Sequence, residues 1–154
     1  MELRSVQELM DLLHACRGAW DTPGRGGDPV DPHDHALQTA ALVRRSRPAD
    51  KELQVAALVH DIGQLLRPAD PADHTDLAAD TVRPLLGERV CHLVRLHAGG
   101  RVNAVDAPHA DDVLRLRQAC DAGKVVGLDA GVMEDWRTVL ELVAAQHSRL
   151  GAVD

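Results

Sequence analysis

The chain has 154 residues, 45% of them apolar and 27% charged, which fits one globular domain with a core of its own. Its formal net charge is −7, with no Phe, no Tyr and two Trp, so it offers neither the cationic face that nucleic-acid phosphates need nor the aromatic platforms on which bases stack. No apolar stretch approaches the roughly 18 residues that span a bilayer, and MELRSVQELM has no basic start followed by an apolar run; a cytoplasmic protein is expected.

Leu3, Val6, Leu9, Met10 and Leu13 recur at helical spacing and predict an amphipathic helix over residues 3–16. Residues 17–32 are rich in Gly, Pro and Asp and read as a long loop. Asp31-Pro32 is a helix start, a capping carboxylate followed by a proline in the first turn. That second helix is expected to reach about residue 45, with Leu37, Ala40, Ala41 and Val43 inward. Asp50 caps a third helix, which contains Leu53, Ala57, Leu58, His60 and Asp61 and has Gly63 near its end. After a loop at 67–73, a fourth helix begins near His74 and is expected to break before Pro84. A fifth covers 88–98, a loop follows at 99–108, and two more helices cover 109–123 and 132–150. No segment alternates with period two, and no linker divides the chain. The fold class is all-α, a single-domain helical bundle over 1–154.

The chemistry lies in the nine histidines. Cys16, Cys91 and Cys120 are odd in number and far apart, as reduced thiols are. In ALVHDIGQLL (57–66), His60 and Asp61 interrupt an apolar run, either as a surface ion pair or as the centre of a metal site. The apolar neighbours on both sides argue against the surface pair. His35 lies early on the second helix, His74 opens the fourth and His97 closes the fifth. Helix bundles build metal sites by pointing ligands inward from several helices. Imidazole with carboxylate suits iron, manganese or zinc better than magnesium. His33 is expected in solvent, and His14, His92, His109 and His147 fall outside the pattern.

Four stretches, HALQTAALV (35–43), AALVHDIGQLL (56–66), HTDLAADTVRPLLGERV (74–90) and LVRLH (93–97), resemble in order the HD-domain superfamily. The resemblance runs over about 28–124. It is nearest to the phosphonate-cleaving diiron oxygenases and, more distantly, to myo-inositol oxygenase. It implies two metal ions, irons in that branch, with manganese, nickel or zinc as alternatives. His35, His60 and Asp61 would hold the first, and Asp61, His74 and His97 the second. It also implies a small anionic substrate, received by Arg101, Lys124, Gln64 and Asp28, with Asp61 and Gln64 at the reacting centre. No nucleic acid or membrane is expected as a partner.

The chain departs from that family at several positions. Where the family is similar to Trp-Asp-Asp-x-x-Lys, this chain reads ACDAGK (119–124), which puts Cys120 at the ligand position and Asp121 beside it. Asp121 serves if the helix turns, and its carboxylate would preserve the charge of the site; a Cys120 thiolate is the alternative. Asp121 is the expected ligand. Gln64 replaces a histidine, and Arg101 replaces a lysine that binds the phosphonate, with a planar fork suited to oxyanions. Arg25 and Asp28 align with Tyr-x-x-Glu, so the gating tyrosine is absent. Only residues 98–112 stand where the family carries a longer insertion. The function the resemblance implies is a diiron oxygenase of a small organophosphonate or similar anion; the alternatives are a metal-dependent phosphohydrolase and a degenerate member without catalysis.

Overall fold

The computed structural model describes residues 3–16, 31–63, 74–97, 110–125 and 128–152. Arg25, Asp28, Gln64, Arg101 and His109 lie outside the described residues. Seven α-helices are bounded within the described residues: α1 (Val6–Ala15), α2 (Pro32–Ser46), α3 (Lys51–Val59), α4 (His74–Leu86), α5 (Glu88–His97), α6 (Ala110–Ala122) and α7 (Arg137–Ala152). A 3-10 turn, Met133–Trp136, leads into α7. Among the described residues there is no strand, and no helix is long and apolar enough to cross a membrane.

Three helix starts are fixed by side chains that accept an otherwise orphaned backbone N–H. Ser5 Oγ accepts from Glu8 at 3.1 Å, Asp31 Oδ1 from His33 at 3.4 Å, and Asp50 Oδ1 from Leu53 at 3.1 Å. Asp50 has a second use. The Arg89 guanidinium of α5 forks onto both its oxygens at 2.8 Å and also reaches Glu52 at 3.2 Å and Asp112 at 3.0 Å. One cation thus ties the start of α3 to α5 and α6.

Every residue of α3 from 53 to 59 is buried, which is the pattern of a central helix rather than one with a solvent face. It packs against α2, α5, α6 and α7. Leu37, Ala40 and Val43 of α2, Val90, Leu93 and Val94 of α5, Val113 and Leu116 of α6, and Leu140 and Val143 of α7 belong to the same core, as do Leu9, Met10 and Leu13 of α1 and Ala78, Ala79 and Val82 of α4. The one polar side chain in that buried run, Gln54, donates to the Arg47 carbonyl at 2.8 Å and to that of Pro48 at 3.1 Å.

Two boundaries differ from the sequence reading. α4 continues through Pro84 and ends at Leu86. Proline sacrifices one backbone hydrogen bond, but here it does so in the final turn, and the buried Leu86 anchors that turn. Gly87 then closes the helix at φ +96°, with its N–H on the Arg83 carbonyl at 3.0 Å. α3 ends at Val59, so His60 is its C-cap and Asp61 follows it, and neither lies within the helix. The pair therefore projects from the end of the central helix into the middle of the molecule.

Candidate metal centre

Three imidazoles converge from three helices. His35 stands in the first turns of α2, His60 caps α3, and His97 is the last residue of α5. All three are buried. The His35 and His60 ring centres are 5.1 Å apart, and those of His60 and His97 are 5.0 Å apart, both edge to face.

Each ring places Nδ1 on a backbone carbonyl: His35 on Gly123 at 2.7 Å, His60 on Ala57 at 2.5 Å, His97 on Val94 at 2.6 Å. A carbonyl only accepts, so each Nδ1 carries the proton and each neutral ring turns a lone pair outward on Nε2. This is how metal-binding histidines are oriented. The Nε2 atoms of His35 and His60 face each other at 3.2 Å. Two lone pairs do not approach that closely unless a proton or a cation stands between them. Asp61 Oδ2 lies 3.3 Å from the His60 Nε2 and 3.5 Å from that of His35. Two nitrogens held tetrahedrally at the roughly 2.0–2.1 Å of a zinc–imidazole bond are about 3.3 Å apart. The His35–His60 separation fits such an ion, and so does the donor set of nitrogens with a carboxylate oxygen.

The electrostatics agree with an anion set in a group of imidazoles. Burial would raise the Asp61 carboxyl, but the His60 imidazole beside it outweighs that and holds it well below the usual carboxylate range. Burial disfavours a charged His60, yet the Asp61 charge and hydrogen bond hold its pKa well above the ordinary histidine value. His97 is pushed down to about 4 by burial and by neighbouring His60. Asp61 has 25% of its side chain exposed, whereas the histidines are nearly closed off, so the cluster opens to solvent on the carboxylate side.

The last turn of α6 supplies the remaining neighbour. Cys120 Sγ lies 3.5 Å from the Nε2 of both His35 and His60. Burial raises its thiol, but hydrogen bonds to the two imidazoles bring it down to about 7. Asp121, the expected ligand, is exposed; one residue is about 100° of helical rotation, and that rotation favours the cysteine. Lys124 is exposed just beyond the helix. His74 opens α4, with its side chain outside the described residues. His33, expected in solvent, is buried instead: its Nδ1 meets Asp34 at 3.0 Å and its ring stacks on His14. Among the described residues the groups with metal-holding geometry are His35, His60 and Cys120, and His60, Asp61 and His97.

Supporting residues escaped the sequence reading. Gly123 sits so close to α2 that a Cβ there would lie 2.8 Å from Thr39 Oγ1 and 3.0 Å from its backbone nitrogen. Only glycine lets that carbonyl reach His35. Gln38 clamps the same segment, donating to the Val125 carbonyl at 2.8 Å and accepting its N–H at 2.9 Å. Arg117 donates to the carbonyls of His97 at 2.8 Å and Leu96 at 3.0 Å, which fixes the end of α5.

Compared with models of known families, the chain matches the HD domain over residues 33–128. The chain belongs to the HD domain family. The matched span contains all five residues of the cluster and runs past the end of α6. A comparison with curated proteins finds no match for this HD domain protein.

Proposed function

We propose that this HD domain protein is a metal-dependent hydrolase of a small phosphate-bearing anion, with His35, His60, Asp61 and His97 as ligands. The observation that carries the reading is the tautomer lock. Three rings have Nδ1 committed to backbone carbonyls, and at least two of them turn Nε2 lone pairs onto one point beside a carboxylate. A divalent cation bound there supplies Lewis acidity, polarising a phosphoryl oxygen and acidifying a water. The protein's own part is positional. The backbone carbonyls keep the rings from turning, and Asp61 brings the negative charge to the open side, where substrate enters. His74 is proposed as a ligand to a second ion. Arg101 and Lys124 are proposed to receive the anion, and Gln64 to hydrogen-bond to it.

A second reading, a diiron oxygenase of a phosphonate, is favoured by one observation. His35, His60 and Asp61 form a two-histidine, one-carboxylate face that is open on the carboxylate side. One experiment separates the two. Protein purified without added metal is analysed for its metal content, then assayed with phosphomonoesters and phosphodiesters before and after chelation. Chelator-sensitive hydrolysis restored by a divalent ion is the expected result. Iron in the purified protein, with phosphonate-dependent oxygen consumption and no hydrolysis, would replace the first reading by the second.

A further inference from the structure

We propose that the Cys120 thiolate is itself a metal ligand, closing a face with His35 and His60, and that it biases the centre toward zinc and similar thiophilic ions over magnesium or manganese. The proposal rests on the reading that the histidine cluster holds a cation. Three distances carry it. The two Nε2 atoms are 3.2 Å apart and each is 3.5 Å from Cys120 Sγ. An ion with Zn–N bonds of about 2.0–2.1 Å and a Zn–S bond of about 2.3 Å has tetrahedral edges of about 3.3 Å between nitrogens and about 3.6 Å between nitrogen and sulfur. All three edges of the triangle agree with those values.

The alternative, a small buried residue filling space, does not account for this placement. A thiol has one proton to give and satisfies one imidazole at a time, yet Sγ is equidistant from two whose Nδ1 atoms are already used. As a thiolate it also supplies the negative charge that an acidic ligand would bring, which leaves exposed Asp121 unneeded. Thiolate is a soft donor and discriminates against ions that prefer oxygen. Asp61, whose Oδ2 lies 3.5 Å and 3.3 Å from the same two nitrogens, supplies the hard oxygen ligand. The other two thiols, Cys16 and Cys91, are buried and belong to neither of the two metal-holding groups.

The test uses cobalt(II) as a spectroscopic probe, titrated into the chelator-stripped full chain and into Cys120→Ser, with far-ultraviolet circular dichroism as the check of fold. The expected result is a near-ultraviolet thiolate-to-cobalt charge-transfer band in the wild type that is absent from Cys120→Ser, although that variant still takes up cobalt. Cys120→Asp, which keeps the charge, serves if the serine variant does not fold, and its preference for zinc over manganese in competition should fall at least ten-fold. Cobalt uptake by the wild type without the band, or a band that survives in Cys120→Ser, overturns the ligand assignment and leaves the hydrolase reading standing. No cobalt uptake by the wild type overturns the metal reading, and this assignment with it.

Discussion

Replacing Gly123 by alanine adds a single methyl group, and the structure predicts that it will disturb both stability and the metal centre. The new Cβ would meet Thr39 Oγ1 at 2.8 Å, and the Thr39 nitrogen and Ala119 oxygen at 3.0 Å. Two of those atoms are backbone and cannot swing aside. The end of α6 must move from α2, and the 2.7 Å contact of the Gly123 carbonyl with His35 Nδ1 opens. Overpacking of this kind costs about 1–3 kcal/mol, and the lost hydrogen bond about 0.5–1.5 kcal/mol more. For a chain of this size about 1 kcal/mol is about 2–4 °C in Tm, so a drop of about 3–18 °C is expected. An ordinary glycine-to-alanine change at a compatible backbone position instead stabilises by about 0.4–1 kcal/mol, so the sign alone is informative. The assay is thermal unfolding of the apo protein, followed by zinc titration. An unchanged or raised Tm together with wild-type zinc affinity would refute the argument that this close approach positions His35.

Asp61→Ala should lose metal binding altogether, read by elemental analysis after dialysis, because Asp61 Oδ2 stands within reach of both His35 and His60; full metal retention would exclude it as a shared ligand. Arg89→Ala should destabilise the fold by about 1.5–3 kcal/mol in urea unfolding, since Asp50 and Asp112 lose a charge-assisted partner. The Asp50 carboxyl is held below its ordinary value, first by its hydrogen bond to Arg89. Its contribution is therefore complete above the unfolded pKa of about 3.9 and is lost as pH falls through the folded value; Asp50→Asn should show a flatter stability profile than wild type below about pH 4. Gln38→Ala should cost about 1–3 kcal/mol through the two lost bonds to Val125, and equal urea midpoints for variant and wild type would show that the clamp contributes nothing.

The parts of this molecule written in local sequence could be read without coordinates. Asp31-Pro32 and Asp50 announce helix starts because a cap needs only neighbours within three residues. His35, His60, Asp61 and His97 stand out because each begins, interrupts or ends an apolar helical pattern, and the structure brings these four side chains together. What was not legible depends on rotation and on distant contacts. Cys120 and Asp121 differ by one residue, and only the seating of α6 decides which side chain turns inward. Gly123 and Gln38 act on partners 88 and 87 residues away in sequence, a separation at which no local pattern carries a signal. His33 reads as a solvated first-turn residue until His14, from a different helix, is found beside it. Pro84 misleads because a helix-breaking residue costs little where the helix is about to end.

The buried run of α3 from 53 to 59 has a consequence for how tightly any ion is kept. Amides of a helix without a solvent face exchange with water only when the whole domain opens, while frayed ends and loops exchange far sooner. His60 and Asp61 hang from the end of that helix, so the central ligands belong to the part of the molecule that opens last. Ligands held so firmly are not created by the ion; they wait for it, and little order has to be imposed when it arrives. The free energy of binding then adds to the stability of the entire domain, growing as RT ln(1 + [L]/Kd) with free ion concentration. In such a protein, stripping the metal loosens everything at once.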